Sequence, residues 1–249
     1  MAESLKGKVA VITGVGPGFG KATAELFAKA DQVNLILIDY NEKALEATAK
    51  ACKEAGSKVV ALVSDVTKPE TFVRALKEAL DNFGKVDFLI NYAGGALKVA
   101  PIEEMDDEIN RRIIDLNLTS AIMSCRTFTP QFKKQGFGKI INVSSACDRR
   151  SWPGWSVYSA AKAAVNAFTR CLYTELRPHG IAVMLLVPGG SNTGFQSAAA
   201  GVNKFEWDEE LAVRPEHFAD MVYQTCALSK GACVSELVLY GLAQDVSGY

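Results

Sequence analysis

Short apolar runs recur along the chain at Val9–Ile12, Val33–Ile38, Val59–Val63, Val86–Ile90, Ile140–Val143, Ile181–Val187 and Leu237–Tyr240. Several are apolar at consecutive positions and rich in Val and Ile, which predicts strands covered on both faces of a parallel sheet. Between them, Lys21–Lys29, Glu42–Ala55, Pro69–Phe83 and Ala160–Leu176 carry apolar residues three or four apart, the period of an amphipathic helix. Strands alternating with helices predict right-handed βαβ units. The expected fold is α/β: a Rossmann-type doubly wound parallel sheet, one strand per apolar run, with helices on both faces. No linker or repeat breaks the alternation, so residues 1–249 read as a single domain. One stretch departs from the rhythm. Gly189–Trp207 carries Gly, Ser, Asn and Ala ahead of Phe205 and Trp207, and reads as a flexible lid over a substrate.

Composition narrows the function classes. Apolar residues make up 49% of the 249, enough for a sizeable core. Lys and Arg number 27 against 28 Asp and Glu, so no net field draws a polyanion, and nucleic acid is not an expected partner. The longest apolar stretch, Ile181–Val187, falls far short of the ~20 residues a membrane span requires, and the start of the chain lacks a signal-peptide pattern. Six scattered cysteines without a CxxC pair read as free thiols, which points to the cytoplasm. His179 and His217 are far apart and without a cysteine cluster, so neither a histidine metal site nor a Ser-His triad is expected.

In open α/β sheets ligands bind beyond the carboxyl ends of the strands. After the first apolar run comes Thr13-Gly14-Val15-Gly16-Pro17-Gly18-Phe19-Gly20, followed by a helical pattern. Glycines allow a tight turn and close approach to a pyrophosphate, and the following helix N-terminus favours an anion. The spacing is TGxxxGxG rather than GxGxxG, and ordinary βα turns also use glycine. Asp39 ends the second run, at the offset where an acid accepts hydrogen bonds from an adenosine ribose. Its alternative role is the N-cap of the helix that follows. Glycine turn and acid together point to a dinucleotide. An acid there repels a 2′-phosphate, and Tyr40 rather than an arginine follows it, so NAD is expected over NADP. Asp65, after the third run, is placed either to contact adenine or to cap the next helix.

Tyr158 and Lys162 lie four apart in Tyr158-Ser159-Ala160-Ala161-Lys162, one face of a helix. A nearby ammonium lowers a phenol's pKa, which makes a general acid/base without histidine. Ser145, after the run Ile140–Val143, places a hydroxyl at the ligand-binding end.

With these residues the chain resembles the short-chain dehydrogenase/reductase family. Thr13–Gly20 resembles its TGxxxGxG turn, and Asp65-Val66 its adenine-contacting acid. Asn91-Tyr92-Ala93-Gly94 resembles its NNAG, with Tyr92 in place of the second Asn. Asn117, Ser145, Tyr158 and Lys162 resemble its catalytic tetrad, and Pro188-Gly189 with Thr193 its nicotinamide cradle. The resemblance implies an oxidoreductase that interconverts a secondary alcohol and a ketone, or acts on a hydroxy acid or aldehyde, by hydride transfer to or from NAD. Tyr158 would be the acid/base, Ser145 would orient the carbonyl oxygen, and Lys162 would lower the Tyr158 pKa, bind the ribose and relay protons through a water held by Asn117. It also implies a homodimer or homotetramer built on the helices Asn110–Lys134 and Ala160–Leu176. A catalytically silent dinucleotide-binding sensor or scaffold is the alternative.

Substrate identity is less legible. Trp152, Trp155 and Phe195, with Phe205 and Trp207, are candidate pocket walls or packing residues. Leu239–Gln244 replaces the family's common C-terminal finish and weakly resembles members acting on small hydroxy acids or sulfonated aldehydes. Arg149 and Arg150 follow Ser145 closely, and either clamp an anionic substrate or pair with Asp148 or solvent.

Overall fold

The computed structural model describes residues 3–191, 193–195, 199–201, 211–242 and 244. Seven parallel strands form one sheet: β1 (Val9–Thr13), β2 (Asn34–Asp39), β3 (Val59–Val63), β4 (Phe88–Asn91), β5 (Gly138–Val143), β6 (Ile181–Pro188) and β7 (Glu236–Leu239). Their order is β3-β2-β1-β4-β5-β6-β7, so the direction of winding reverses between β1 and β4. The helices are α1 (Phe19–Asp31), α2 (Glu42–Glu54), α3 (Pro69–Phe83), α4 (Asp107–Ile114), α5 (Ser120–Gln135), α6 (Ser156–Leu176) and α7 (Pro215–Cys226).

The expected architecture is present, and the reason is visible in the strands. Every residue of β1 and β5 is buried, because helices cover both faces. Successive side chains alternate between two cores. Ala10 and Ile12 point with Leu35 and Leu37 toward α1, α2 and α7, where Phe27, Leu45 and Phe218 meet them. Val9 and Val11 point with Ile36 and Ile38 toward α3, α5 and α6, against Phe72, Phe128 and Leu172.

Two elements depart from the sequence reading. Helix α7 is absent from the predicted set, although Phe218, Val222 and Cys226 lie four apart and Pro215 occupies its first turn. Buried Lys139 of β5 holds its far end by donating to the carbonyls of Thr225 (3.0 Å), Cys226 (2.8 Å) and Leu228 (2.6 Å). The predicted helix Asn110–Lys134 is really α4 and α5 joined by one π-helical turn, Asp115–Thr119. Asn117 sits inside that turn, and such turns concentrate at functional sites. Phe205 and Trp207 of the expected lid lie outside the described residues. Among those described, no helix is long and apolar enough to cross a membrane.

Candidate active site

Thr13 ends β1 beside the winding reversal, and the glycine turn leaves the sheet there. Gly14 has φ 71°, and a Cβ on it would lie 2.7 Å from the Ala93 nitrogen. Gly20 opens α1 so close to this turn that a Cβ would lie 2.1 Å from the Gly14 carbonyl oxygen. Glycine is therefore required at both positions. Gly18 caps α1 without a side-chain hydrogen bond, and the first turn holds no acid. The Phe19 side chain turns away from the loop and packs edge-on against Phe218, with ring centroids 4.6 Å apart.

Asp39 is buried at the end of β2, 7% exposed. One carboxylate oxygen accepts from the Gly16 N–H and the other from the Asn41 N–H, both at 2.9 Å. Its alternative role does not hold: Asn41 is the residue that caps α2, accepting from the Ala44 N–H at 3.1 Å. Tyr40 is 78% exposed. Asp65 is exposed and accepts from the Thr67 N–H and hydroxyl, both at 2.8 Å. It is not a cap either, since Lys68 holds that position on α3. Val66 beside it is buried.

The Asn91–Gly94 stretch divides its work. Asn91 is buried and donates across the sheet to Asn142 Oδ1 of β5 at 2.8 Å. The departure at Tyr92 has a local partner: its hydroxyl meets Thr23 Oγ1 of α1 at 2.8 Å, while its ring packs near Phe19. The Ala93 N–H donates to Thr13 Oγ1 at 3.2 Å, fixing this loop to the glycine turn. Gly94 is the spacer between two candidate catalytic side chains. A Cβ there would lie 2.7 Å from Asn117 Oδ1 and 3.2 Å from Lys162 Nζ.

Asn117 is 2% exposed and spends its amide on the backbone. Oδ1 accepts from the Gly95 N–H at 3.1 Å, and Nδ2 donates to Gly95 O and Ile113 O, both at 2.8 Å. Its side chain thus ties the Gly95 backbone to the helical turn below it.

Ser145 stands at the end of β5 and accepts from the Cys147 N–H at 3.2 Å, opening a short 3₁₀ turn. Tyr158 and Lys162, both buried, occupy successive turns at the start of α6. Lys162 Nζ donates to the Val143 carbonyl at 2.9 Å and lies 5.7 Å from the Tyr158 ring centroid. Trp155 and Phe195 stack on each other, with centroids 6.2 Å apart, and each lies 5.6 Å from the Tyr158 ring.

Burial governs the protonation here, which corrects the expectation of a lowered Tyr158 pKa. Loss of water pushes the phenol up, assisted by Cys147 and Asp148, while hydrogen bonding with Ser145 opposes the rise. Lys162 is pushed down to about 8 by the same loss of water, against the pull of Cys147 and Asp148. Both shifts favour the uncharged forms.

Pro188 ends β6, and the Gly189 N–H donates to Leu239 O at 2.9 Å. Gln244 Oε1 accepts from the Gly190 N–H at 2.8 Å. Thr193 closes on the glycine turn, its Cβ 3.4 Å from where a Gly18 Cβ would sit. The two arginines part company. Arg149 is shared between Asp148 (2.6 Å) and Glu236 (2.7 Å), so its fork is already paired and no anion clamp is built on it. Arg150 keeps a buried Nε without a hydrogen-bond partner among the described residues.

Residues 8–201 match the short chain dehydrogenase family. A short chain dehydrogenase/reductase of Aspergillus oryzae is 31% identical over 99% of this chain and 91% of its own length. A 3beta-hydroxysteroid dehydrogenase of Eggerthella lenta is 36% identical over 78% of this chain and 74% of that protein. An alcohol dehydrogenase from Thermococcus sibiricus, solved with 5-hydroxy-NADP, superposes with a TM-score of 0.85 at 29% identity, covering 97% of this chain and 99% of its own. The 3-ketoacyl-(acyl-carrier-protein) reductase from Brucella melitensis, solved with NADH, also gives 0.85, at 30% identity over 96% of this chain and 98% of its own. The chain belongs to the short-chain dehydrogenase/reductase family of oxidoreductases, which bind a nicotinamide dinucleotide.

Proposed function

We propose that the protein is an NAD(H)-dependent oxidoreductase that interconverts a secondary alcohol and a ketone. The observation that carries this reading is the convergence of Lys162 and Asn117 on Gly94, with Tyr158 one turn before Lys162 and Ser145 at the neighbouring strand end. The relatives support the substrate class. They include the 3beta-hydroxysteroid dehydrogenase and a diacetyl reductase of Staphylococcus epidermidis, 36% identical over 75% of this chain and 72% of that protein.

The residues present fit the dinucleotide. A Cβ at Gly14 has no room, α1 begins without a side-chain cap or an acid, and the Asp39 carboxylate is fixed beside the glycine turn. Thr13, Gly14, Gly18, Gly20 and the Phe19 N–H would border the pyrophosphate. Asp65 and Val66 would border the adenine, with Asn91, Ala93 and Gly94 on the ribose side. Pro188, Gly189 and Thr193 would border the nicotinamide. Asp39 supports NAD over NADP, because a carboxylate repels a 2′-phosphate and exposed Tyr40 offers no countercharge.

When bound, the dinucleotide supplies or accepts the hydride. The chain's own residues position the substrate and move the proton. Tyr158 donates its hydroxyl proton to the substrate oxygen during reduction, and burial keeps the phenol in that protonated form. Oxidation needs the phenolate, and the Lys162 ammonium stabilises it as charge develops. Ser145 donates to the substrate oxygen, and Asn117 fixes the loop at Gly94–Gly95. Trp155 and Phe195 shield the reacting atoms from water.

The test is turnover of a panel of secondary alcohols and ketones, read from the absorbance of the reduced cofactor. NAD-linked turnover faster than NADP-linked turnover is expected. Binding of NAD without turnover of any substrate would mark a silent sensor instead.

A further inference from the structure

The buried carboxylate behind the site has a place that the mechanism above does not use. The Asp148 side chain is fully buried, 0% exposed. It accepts from the Ser144 hydroxyl (2.9 Å), Asn166 Nδ2 (2.9 Å), and Arg149 Nε (2.6 Å) and a terminal Arg149 nitrogen (3.2 Å). Arg149 and Asn166 Nδ2 can only donate, so the carboxylate is the acceptor in those three bonds.

Two donors, Ser144 and Arg149, belong to the turn that carries Ser145, and the third, Asn166, to α6. Ser144 immediately precedes Ser145, and its oxygen also lies 3.0 Å from the Lys162 carbonyl. Asn166 is one turn beyond Lys162 on α6, and Arg170 one turn further, so Tyr158, Lys162, Asn166 and Arg170 form a single stripe at four-residue spacing. Arg149 reaches across to Glu236 of β7, which also accepts from Arg170 at 3.2 Å. Charges alternate from the buried end outward: Asp148, Arg149, Glu236, Arg170. The Asp148 N–H donates to Ser145 O at 2.9 Å, closing the 3₁₀ turn around the serine.

We propose that Asp148 is a positioning residue for the reaction: its carboxylate ties the turn carrying Ser145 to the helix carrying Tyr158 and Lys162, and its charge acts on the Lys162 ammonium, which is bonded to Val143 O beside the Ser144 that Asp148 holds. The proposal rests on the oxidoreductase reading for its effect on turnover, but not for its effect on Lys162. The groups around the Lys162 ammonium are Val143 O on β5, the Gly94 backbone, the Tyr158 ring, and Cys147 and Asp148 on the turn. Of these, Asp148 carries the formal charge. Its attraction opposes the desolvation that depresses Lys162. Arg149 partly cancels that attraction, so removing each partner has an opposite sign.

The test uses the full chain with isotope-labelled lysine, following the Lys162 titration by NMR, with Lys162→Arg to assign the resonance. Asp148→Asn keeps the shape and removes the charge, and should lower the Lys162 midpoint by about one pH unit. Arg149→Gln leaves Asp148 less neutralised and should raise the midpoint. This variant is at the surface and keeps the proposal testable if Asp148→Asn does not fold. With a turned-over alcohol, Asp148→Asn should also lower kcat about 10-fold or more with KM for NAD little changed, because uncharged and weaker hydrogen bonds then hold the serine turn to the helix. A Lys162 midpoint unmoved in a folded Asp148→Asn protein, or unmoved or lowered in Arg149→Gln, overturns the proposal. If the native protein turns over no alcohol or ketone, the oxidoreductase reading fails by itself, and the Lys162 titration still decides the role of Asp148.

Discussion

An ammonium taken out of water loses its hydration, and Lys162, only 4% exposed, recovers one hydrogen bond among the described residues, to Val143 O. Its fall from 10.5 to about 8 corresponds to a penalty on the order of 3 kcal/mol. Below about pH 8 both folded and unfolded chains hold this proton, and the whole penalty applies. From there up to the unfolded value of 10.5, the unfolded chain holds more protons, so stability rises with pH. Lys162→Met should therefore melt higher than the native protein near neutrality, by about 5 °C or more, and the difference should shrink as pH climbs through that window. A difference that grows with pH in thermal melts would contradict this account. Catalysis at Tyr158 should follow a separate rule. Tyr158→Phe keeps the ring among Trp155 and Phe195 and should retain NAD binding while turnover falls ~10²–10⁴-fold. Near-native kinetics would sink the acid/base role. Asp39→Ala removes the carboxylate beside the glycine turn and should narrow the ratio of kcat/KM for NAD over NADP. An unchanged ratio would mean that Asp39 does not set the cofactor preference.

At the scale of elements, the two buried lysines behave oppositely. Lys139 also pays for desolvation, which pushes its pKa down, but it serves three carbonyls at the end of α7. Two of them, Thr225 O and Cys226 O, also carry the negative end of the helix dipole. Lys139→Met would orphan them together, and an unsatisfied buried acceptor costs about 1–3 kcal/mol. The expected result is a melting temperature lower by at least about 4 °C, with α7 losing amide-exchange protection first. An unchanged melt would show that desolvation of Lys139 balances all three bonds. Helix α7 was not legible in the sequence because its apolar spacing follows a Gly- and Ser-rich stretch that carries no strand–helix rhythm. The π turn at Asp115–Thr119 was not legible either. It exists because the Asn117 amide is bonded to both Ile113 O and the Gly95 backbone, a contact between segments more than twenty residues apart.

For the whole molecule, the outward surface bears on assembly. Ile122 on α5 is 38% exposed on a helix that the family resemblance assigns to subunit pairing. We expect a closed dimer or tetramer, since homo-oligomers commonly close by rotational symmetry. Light scattering at micromolar concentration should report a multiple of the 26.8 kDa chain, and a monomer would refute the expectation.

What the amino-acid order determined alone is the part of the molecule governed by local period and local turn chemistry. The strand runs were readable because both faces of β1 and β5 are buried, so no polar alternation interrupts them. The glycine turn, Asp39, Ser145, Tyr158 and Lys162 were readable because each follows a strand or shares a helix face at a set spacing. Tertiary structure alone decided how those groups are charged and paired. Burial rather than the neighbouring ammonium controls Tyr158, and burial depends on Trp155 and the distant Phe195 packing around the ring. Arg149 has no free fork because Glu236, eighty-seven residues away, reaches it. Asp148 carried no motif at all. Its place at the centre of the site's frame comes from Ser144 and Arg149 in its own turn and Asn166 on α6, brought together when α6 packs against the end of the sheet, where a fully buried carboxylate must be hydrogen-bonded.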